Sequence, residues 1–231
     1  MAGDILGFEG LNVTHESATL VEDMDLNLDA EQLGSKPAPG GLAFVQGFIN
    51  TRDIEEETEA LSTPGELQAW LRARGLQVGD DPLVPGDLER AVAVREALRA
   101  MALANSGEPL DPEAVATLNR AAARAGVRVR FDREGRAELV PKGEGVDAAL
   151  GAILAAVQAA EADGTWRRLK ACRNHTCGWA FYDGSKNRSG AWCTMDVCGN
   201  LMKARAYRRR RAEARPHVAD DPLARLDSNQ D

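Results

Sequence analysis

From residue 42 onwards apolar side chains recur at helical spacing, and the polar residues between them carry the start and stop signals of five helices. Leu42, Val45, Phe48 and Ile49 fall on one side of the first, which Asn50-Thr51-Arg52 ends. Thr63-Pro64-Gly65-Glu66 then supplies an N-cap, a proline at the first helical position and a capping-box acid. The helix it opens runs through Leu67, Trp70 and Leu71 and stops at Gly75, with Trp70 expected in the core rather than at a ligand. A long helix starts at Gly86-Asp87, passes through Leu88, Val92, Val94, Leu98 and Met101, and ends near Asn105-Ser106-Gly107. Asp111-Pro112 opens the next, with Val115, Leu118 and Ala122 on one side and Gly126 as its stop.

The period then drops to two. Val127 to Phe131 alternates valine with arginine, Asp132 to Gly135 forms a turn, and Ala137-Glu138-Leu139-Val140 returns, the pattern of a β-hairpin with one face buried. An alanine-rich helix from Ala148 to Ala162 closes the series, and Gly164 marks a boundary. Residues 41–165 therefore read as a mainly helical domain with a small antiparallel hairpin, and the chain as α+β.

Beyond Gly164 the elements shorten. Leu169 to Arg173 and Trp179 to Tyr182 have the length of strands, and Thr194 is placed to cap a helix from Met195 to about Ala214. At 100° per residue, Cys198, Leu201, Met202, Arg205 and Arg209 share one side of that helix, and Asn200, Lys203, Tyr207, Arg210 and Arg211 the other. Residues 1–40 carry eight acids and one lysine and read as an acidic arm or extra strands, closed by Pro37, Pro39 and Gly40-Gly41. Arg215-Pro216 ends the last helix, and the acidic tail of residues 216–231 is expected to be disordered.

All four cysteines lie in this second region, as two pairs with equal spacing. Four residues separate Cys172 from Cys177, fifteen more lead to Cys193, and four again precede Cys198. Two short loops that each give two thiolates can close around one tetrahedral Zn²⁺; the alternatives are buried free thiols or two disulfides. Four sulfurs leave no open coordination position, so such a metal is structural. Cys193 falls just before the expected helix and Cys198 in its first turn, where the helix dipole favours the thiolate form. His175, between the first two cysteines, is expected to face solvent.

The residues around those sulfurs resemble the CGNR-type zinc finger. They include both cysteine pairs, Phe181-Tyr182-Asp183, the run Ser185-Lys186-Asn187-Arg188-Ser189, Trp192-Cys193, and Cys198-Gly199-Asn200. Leu201 stands where the family signature has arginine. The helix ending in Asn50-Thr51-Arg52, followed by the Leu67-x-x-Trp70-Leu71 helix, is similar to the opening of an ABATE domain. The resemblance implies a DNA-binding transcription regulator.

Charge changes how the whole chain is read. The net charge of −8 taken alone argues against a nucleic-acid partner. Residues 166–215, however, hold 13 Lys or Arg against 3 Asp or Glu, a balance of 13 − 3 = +10, so the remainder carries −8 − 10 = −18. A basic module on an acidic body suits contact with a polyanion. The outer helix face of Asn200, Lys203, Tyr207, Arg210 and Arg211 suits phosphates and base edges of duplex DNA.

No run approaches eighteen apolar residues and the N-terminus lacks a signal-peptide pattern, so a cytoplasmic protein with no membrane partner is expected. The three histidines have no catalytic set around them, and no glycine-rich phosphate loop follows a strand, which argues against an enzyme. The leading expectation is a regulator whose residues 166–215 bind DNA while the helical body senses a small-molecule effector or mediates homodimer formation. The alternative is a zinc-stabilised protein-interaction or RNA-binding module.

Overall fold

A computed structural model describes residues 30–213; the expectations for residues 1–29 and for the acidic tail lie outside the described residues. The elements run α1 (Ala30–Leu33), α2 (Gly41–Ile49), β1 (Arg52–Asp53), β2 (Thr58–Glu59), α3 (Pro64–Arg72), α4 (Pro85–Asn105), α5 (Pro112–Ala125), β3 (Arg128–Phe131), β4 (Ala137–Val140), α6 (Gly145–Ala162), β5 (Leu169–Ala171), β6 (Ala180–Tyr182) and α7 (Asn200–Glu213). Each of the three strand pairs is a separate antiparallel hairpin.

Local signals set the helix ends as expected. Thr63 Oγ1 accepts the Glu66 N–H at 3.2 Å while the Glu66 carboxylate accepts the Thr63 N–H at 2.9 Å. Asp111 caps α5 through the Glu113 N–H, and Gly126 ends it in the left-handed region at φ 58°.

The core is built around α2. Every residue from Leu42 to Ile49 is buried, so this helix has no solvent face. Its one polar residue, Gln46, is satisfied by donating to the carbonyls of Leu33, Lys36 and Ala180 and accepting the Ala38 N–H at 2.7 Å. Trp70 is buried as expected, against Phe44 and Phe48 and under the Arg74 guanidinium at 4.0 Å. Helix α6 is broken as an apolar run by Asp147, Gln158 and Glu161, yet its 18 residues are long and apolar enough to cross a membrane by length and composition alone. Val146, Leu150, Ile153 and its inward alanines are buried in the protein core, as in the core helix of a globular domain.

Three expectations need correction. Residues 30–40 are not an arm: Asn50 Nδ2 donates to the Gln32 carbonyl at 2.7 Å, the Tyr182 N–H donates to the Lys36 carbonyl at 3.0 Å, and Ala38 is in the core. The β3–β4 hairpin forms in the register Arg128–Val140 to Phe131–Ala137, but β3 buries neither face. Val129 is 58 % and Phe131 69 % exposed, because only β4 leans on α6 and, among the described residues, no other layer covers β3. The boundary at residue 165 is not a physical break either. Trp166, Leu169, Ala171 and Ala180, the ribbon that opens the cysteine module, belong to the same core as α2 and α4.

Candidate metal centre and nucleic-acid surface

The body holds the ribbon by its backbone. Asn105 Nδ2 donates to the carbonyls of Trp166 and Leu169 at 3.0 Å each, and Ser106 Oγ to that of Ala171 at 2.7 Å. Arg99 is buried and donates to the carbonyls of Gly178 and Ile49, both at 2.7 Å. The first cysteine turn is thereby fixed on α2 and α4.

That turn is tight. The N–H groups of Cys177 and Gly178 both reach the Asn174 carbonyl, at 2.8 and 3.0 Å, with Gly178 at φ 60°. A Cβ at 178 would stand 2.8 Å from Ile54 Cδ1, so glycine serves both the backbone and the packing. Cys193 and Cys198 bracket a second turn, and here the helix start differs from expectation. Met195–Gly199 forms one wide π turn closed by the Gly199 N–H on the Thr194 carbonyl at 3.1 Å, and α7 begins at Asn200. Thr194 has the extended backbone of an N-cap, but its hydroxyl makes no capping bond.

The four sulfurs converge, all within 4.8 Å of one another. Cys177 Sγ lies 3.7 Å from Cys193 Sγ, which lies 3.8 Å from Cys198 Sγ. Zn–S bonds of about 2.3 Å in a tetrahedron place sulfurs about 3.8 Å apart, so the spacing fits the metal and is far longer than a disulfide. Thiols this crowded cannot all ionise without a cation. Hydrogen bonding with Cys177 and Cys193 pulls the Cys172 thiol down, while the bond with Cys172 pushes Cys193 up to about 12 and Cys177 up as well. A divalent ion removes that conflict by holding all four as thiolates.

The surroundings supply donors that the spacing alone did not reveal. The backbone N–H groups of Cys193 and Asn174 help to hold the Cys172 thiol low, and that of Trp179 works the same way on Cys177. The buried Asn174 turns its Nδ2 to Cys198 Sγ at 3.5 Å, and its Oδ1 accepts from Thr176 and from Arg205 of α7. Asn174 thus orients one ligand and ties the helix to the knuckle. His175 is exposed and outside the sulfur cluster.

Of the expected contact face, Lys203, Tyr207, Arg210 and Arg211 are exposed. Asn200 is exposed too, but its Nδ2 donates to the Asp196 carbonyl at 3.2 Å within the first turn. The two-sided division is only partly kept: Leu201 and Met202 are half-buried, whereas Arg205, Arg208 and Arg209 are exposed. After its first turn α7 is polar all round.

A cleft of ≈ 330 Å³ opens at the metal centre itself: the ligands Cys177, Cys193 and Cys198 line it together with Leu33, Lys36, Asp53, Trp179, Phe181 and Val197, among others.

A helical body continuous with a Cys₄ knuckle and a basic helix defines a zinc-finger protein in two fused parts. Residues 42–171 match the ABATE family, described as a "putative stress-induced transcription regulator", and residues 168–211 match the CGNR zinc finger. The chain belongs to the ABATE family, and its finger holds one structural Zn²⁺. The two matches share residues 168–171, which contain β5, the strand common to both parts. No curated protein matches the chain.

Proposed function

We propose that this protein is a cytoplasmic, non-enzymatic transcription regulator that binds duplex DNA through α7. The observation that carries the reading is the charge of that helix. Between Val197 and Ala212 there is no acid, while Lys203, Arg205 and Arg208 to Arg211 supply six cations. A helix of this length with adjacent like charges and no apolar stripe is marginal in water. Phosphate contacts neutralise it and release counterions from the duplex. The zinc knuckle holds the start of the helix through Cys198 and the π turn of Met195–Gly199, leaving Lys203, Tyr207, Arg210 and Arg211 to meet the DNA.

A sensing role for the body is supported by the cleft. A small molecule in the part of it that the zinc leaves open would touch Asp53, Glu55 and Glu56 together with Thr194 and Val197 beside the metal ligands, and so couple the effector to the helix start.

Titrating full-length, zinc-loaded protein with duplex DNA over a range of salt tests the DNA reading. Lys203→Ala and Arg210→Ala each weaken binding and lower the salt slope by about one, while Arg120→Ala in α5 changes neither. A chain that prefers acidic polypeptide or single-stranded RNA over duplex would be the interaction or RNA-binding module instead.

A further inference from the structure

Lys170 of β5 and Asp183, one residue past β6, are 5 % and 3 % exposed, and Lys170 Nζ lies 2.7 Å from Asp183 Oδ2. The ammonium also donates to the carbonyls of Arg188 at 2.5 Å and Gly190 at 3.1 Å. The carboxylate accepts the N–H groups of Ser185 at 3.1 Å and Gly190 at 2.7 Å. A Cβ at 190 would stand 2.8 Å from the Asp183 carboxyl carbon, so only glycine leaves room for that group. From outside, Arg168 donates to the carbonyls of Asp183 and Ser185, and the Arg188 N–H closes the turn on the Ser185 carbonyl at 3.2 Å. Arg188 itself sits at φ 52°, in the left-handed region.

This arrangement is costly for what it holds. Removing two charges from water costs several kcal/mol per ion before pairing offsets it, and a left-handed arginine adds about 1–3 kcal/mol. Yet residues 184–189 are all exposed, so the network fixes the shape of a surface turn rather than a core. The turn presents Lys186, Asn187 and Arg188, none of whose side chains has a hydrogen bond or ion pair among the described residues. Between Thr165 and Trp192 the single acid is Asp183, which is taken up by Lys170.

We propose that Ser185–Ser189 is a second nucleic-acid contact, a preformed clamp in which Lys186 and Arg188 neutralise phosphates of duplex DNA and Asn187 hydrogen-bonds beside them. The inference rests on the DNA-binding reading of α7 and adds a separate element to it. Both elements are mounted on the same metal. The turn leads through Ala191, whose carbonyl accepts the Arg173 N–H at 3.1 Å, and Trp192, whose carbonyl accepts Lys36 Nζ at 2.9 Å, to the ligand Cys193. The turn offers charge and hydrogen bonds without an apolar side chain. Phosphate recognition asks for that set, whereas a protein partner would seek an apolar centre.

The test uses full-length, zinc-loaded protein and a mixed-sequence DNA duplex titrated at several salt concentrations. Lys186→Ala and Arg188→Gly each weaken binding about 3- to 10-fold and lower the salt slope by about one. Glycine at 188 accepts the left-handed φ, so the turn itself is kept. Asn187→Ala weakens binding without changing the slope. If Lys203→Ala weakens binding while Lys186→Ala and Arg188→Gly match the parent in affinity and slope, the clamp is overturned and the reading of α7 stands. A parent chain with no preference for duplex over heparin overturns both.

Discussion

The side-chain amide of Asn50 pairs with both polar groups of the Ala180 backbone: Oδ1 accepts its N–H at 2.8 Å and Nδ2 donates to its carbonyl at 2.9 Å. An amide at the end of α2 thus serves β6 as a neighbouring strand would, and fastens the cysteine ribbon to the central helix. Replacing Asn50 with Ala strands the buried Ala180 N–H, while the Ala180 carbonyl keeps Gln46 Nε2 at 3.2 Å, and about 1–3 kcal/mol of stability should be lost. Urea unfolding of the zinc-loaded chain measures it; a loss below about 1 kcal/mol would mean that the ribbon does not depend on this anchor.

Zinc should be present at one per chain, and Cys198→Ala should lose it. The body core retains Leu169, Ala171 and Ala180 through contacts that need no metal, so chelation should disorder α7 and the turns around the cysteines while α2 to α6 persist. Metal analysis with far-UV circular dichroism checks this. Full zinc in Cys198→Ala, or collapse of the whole helical signal on chelation, would contradict it.

Acid should act on the Lys170–Asp183 pair. Burial by itself would raise the Asp183 carboxyl, but the bond from Lys170 and those from Ser185 and Gly190 hold it well below its ordinary value. A carboxyl held low binds fewer protons folded than unfolded, so its stabilisation is complete above about pH 4–5 and is lost as pH falls through the folded value. Asp183→Asn, which leaves Lys170 buried without its counter-charge, should cost about 3 kcal/mol at pH 7. The gap to the parent should begin to narrow below about pH 4 and keep narrowing as pH falls towards the folded value; thiolate protonation is shared by both proteins and cancels in the comparison. A gap that stays constant with pH would show that Asp183 is not ionised.

Leu201 replaces the arginine of the family signature and is half-buried where α7 leaves the knuckle. An arginine there can lay its stem along the knuckle and extend its guanidinium to solvent. Leu201→Arg should therefore fold, and it should raise duplex affinity with a salt slope steeper by about one. A change in thermal stability with unaltered binding would instead assign the family arginine to an acid within the finger.

Much of this protein is local and could be read along the chain. The capping box at Thr63 and Glu66, the stop at Gly126 and the helical periods depend on residues within a turn or two of one another, and the cysteine spacing and the division of charge need only positions along the chain. What tertiary structure decided depends on partners far apart in sequence. Asn50 and Ala180 are 130 residues apart, Arg99 and Gly178 are 79, and no periodicity encodes either pairing. Helix α2 shows an apolar side in the sequence, yet it is buried on every side because α4, α6 and β6 surround it. The alternation in β3 promises a buried face, yet only β4 found a layer to pack on, since burial requires a partner surface that a strand cannot specify alone. The π turn at Met195–Gly199 has the same origin. Local propensity favours an α-helical start, but Cys198 must reach a metal whose position is set by the other three sulfurs.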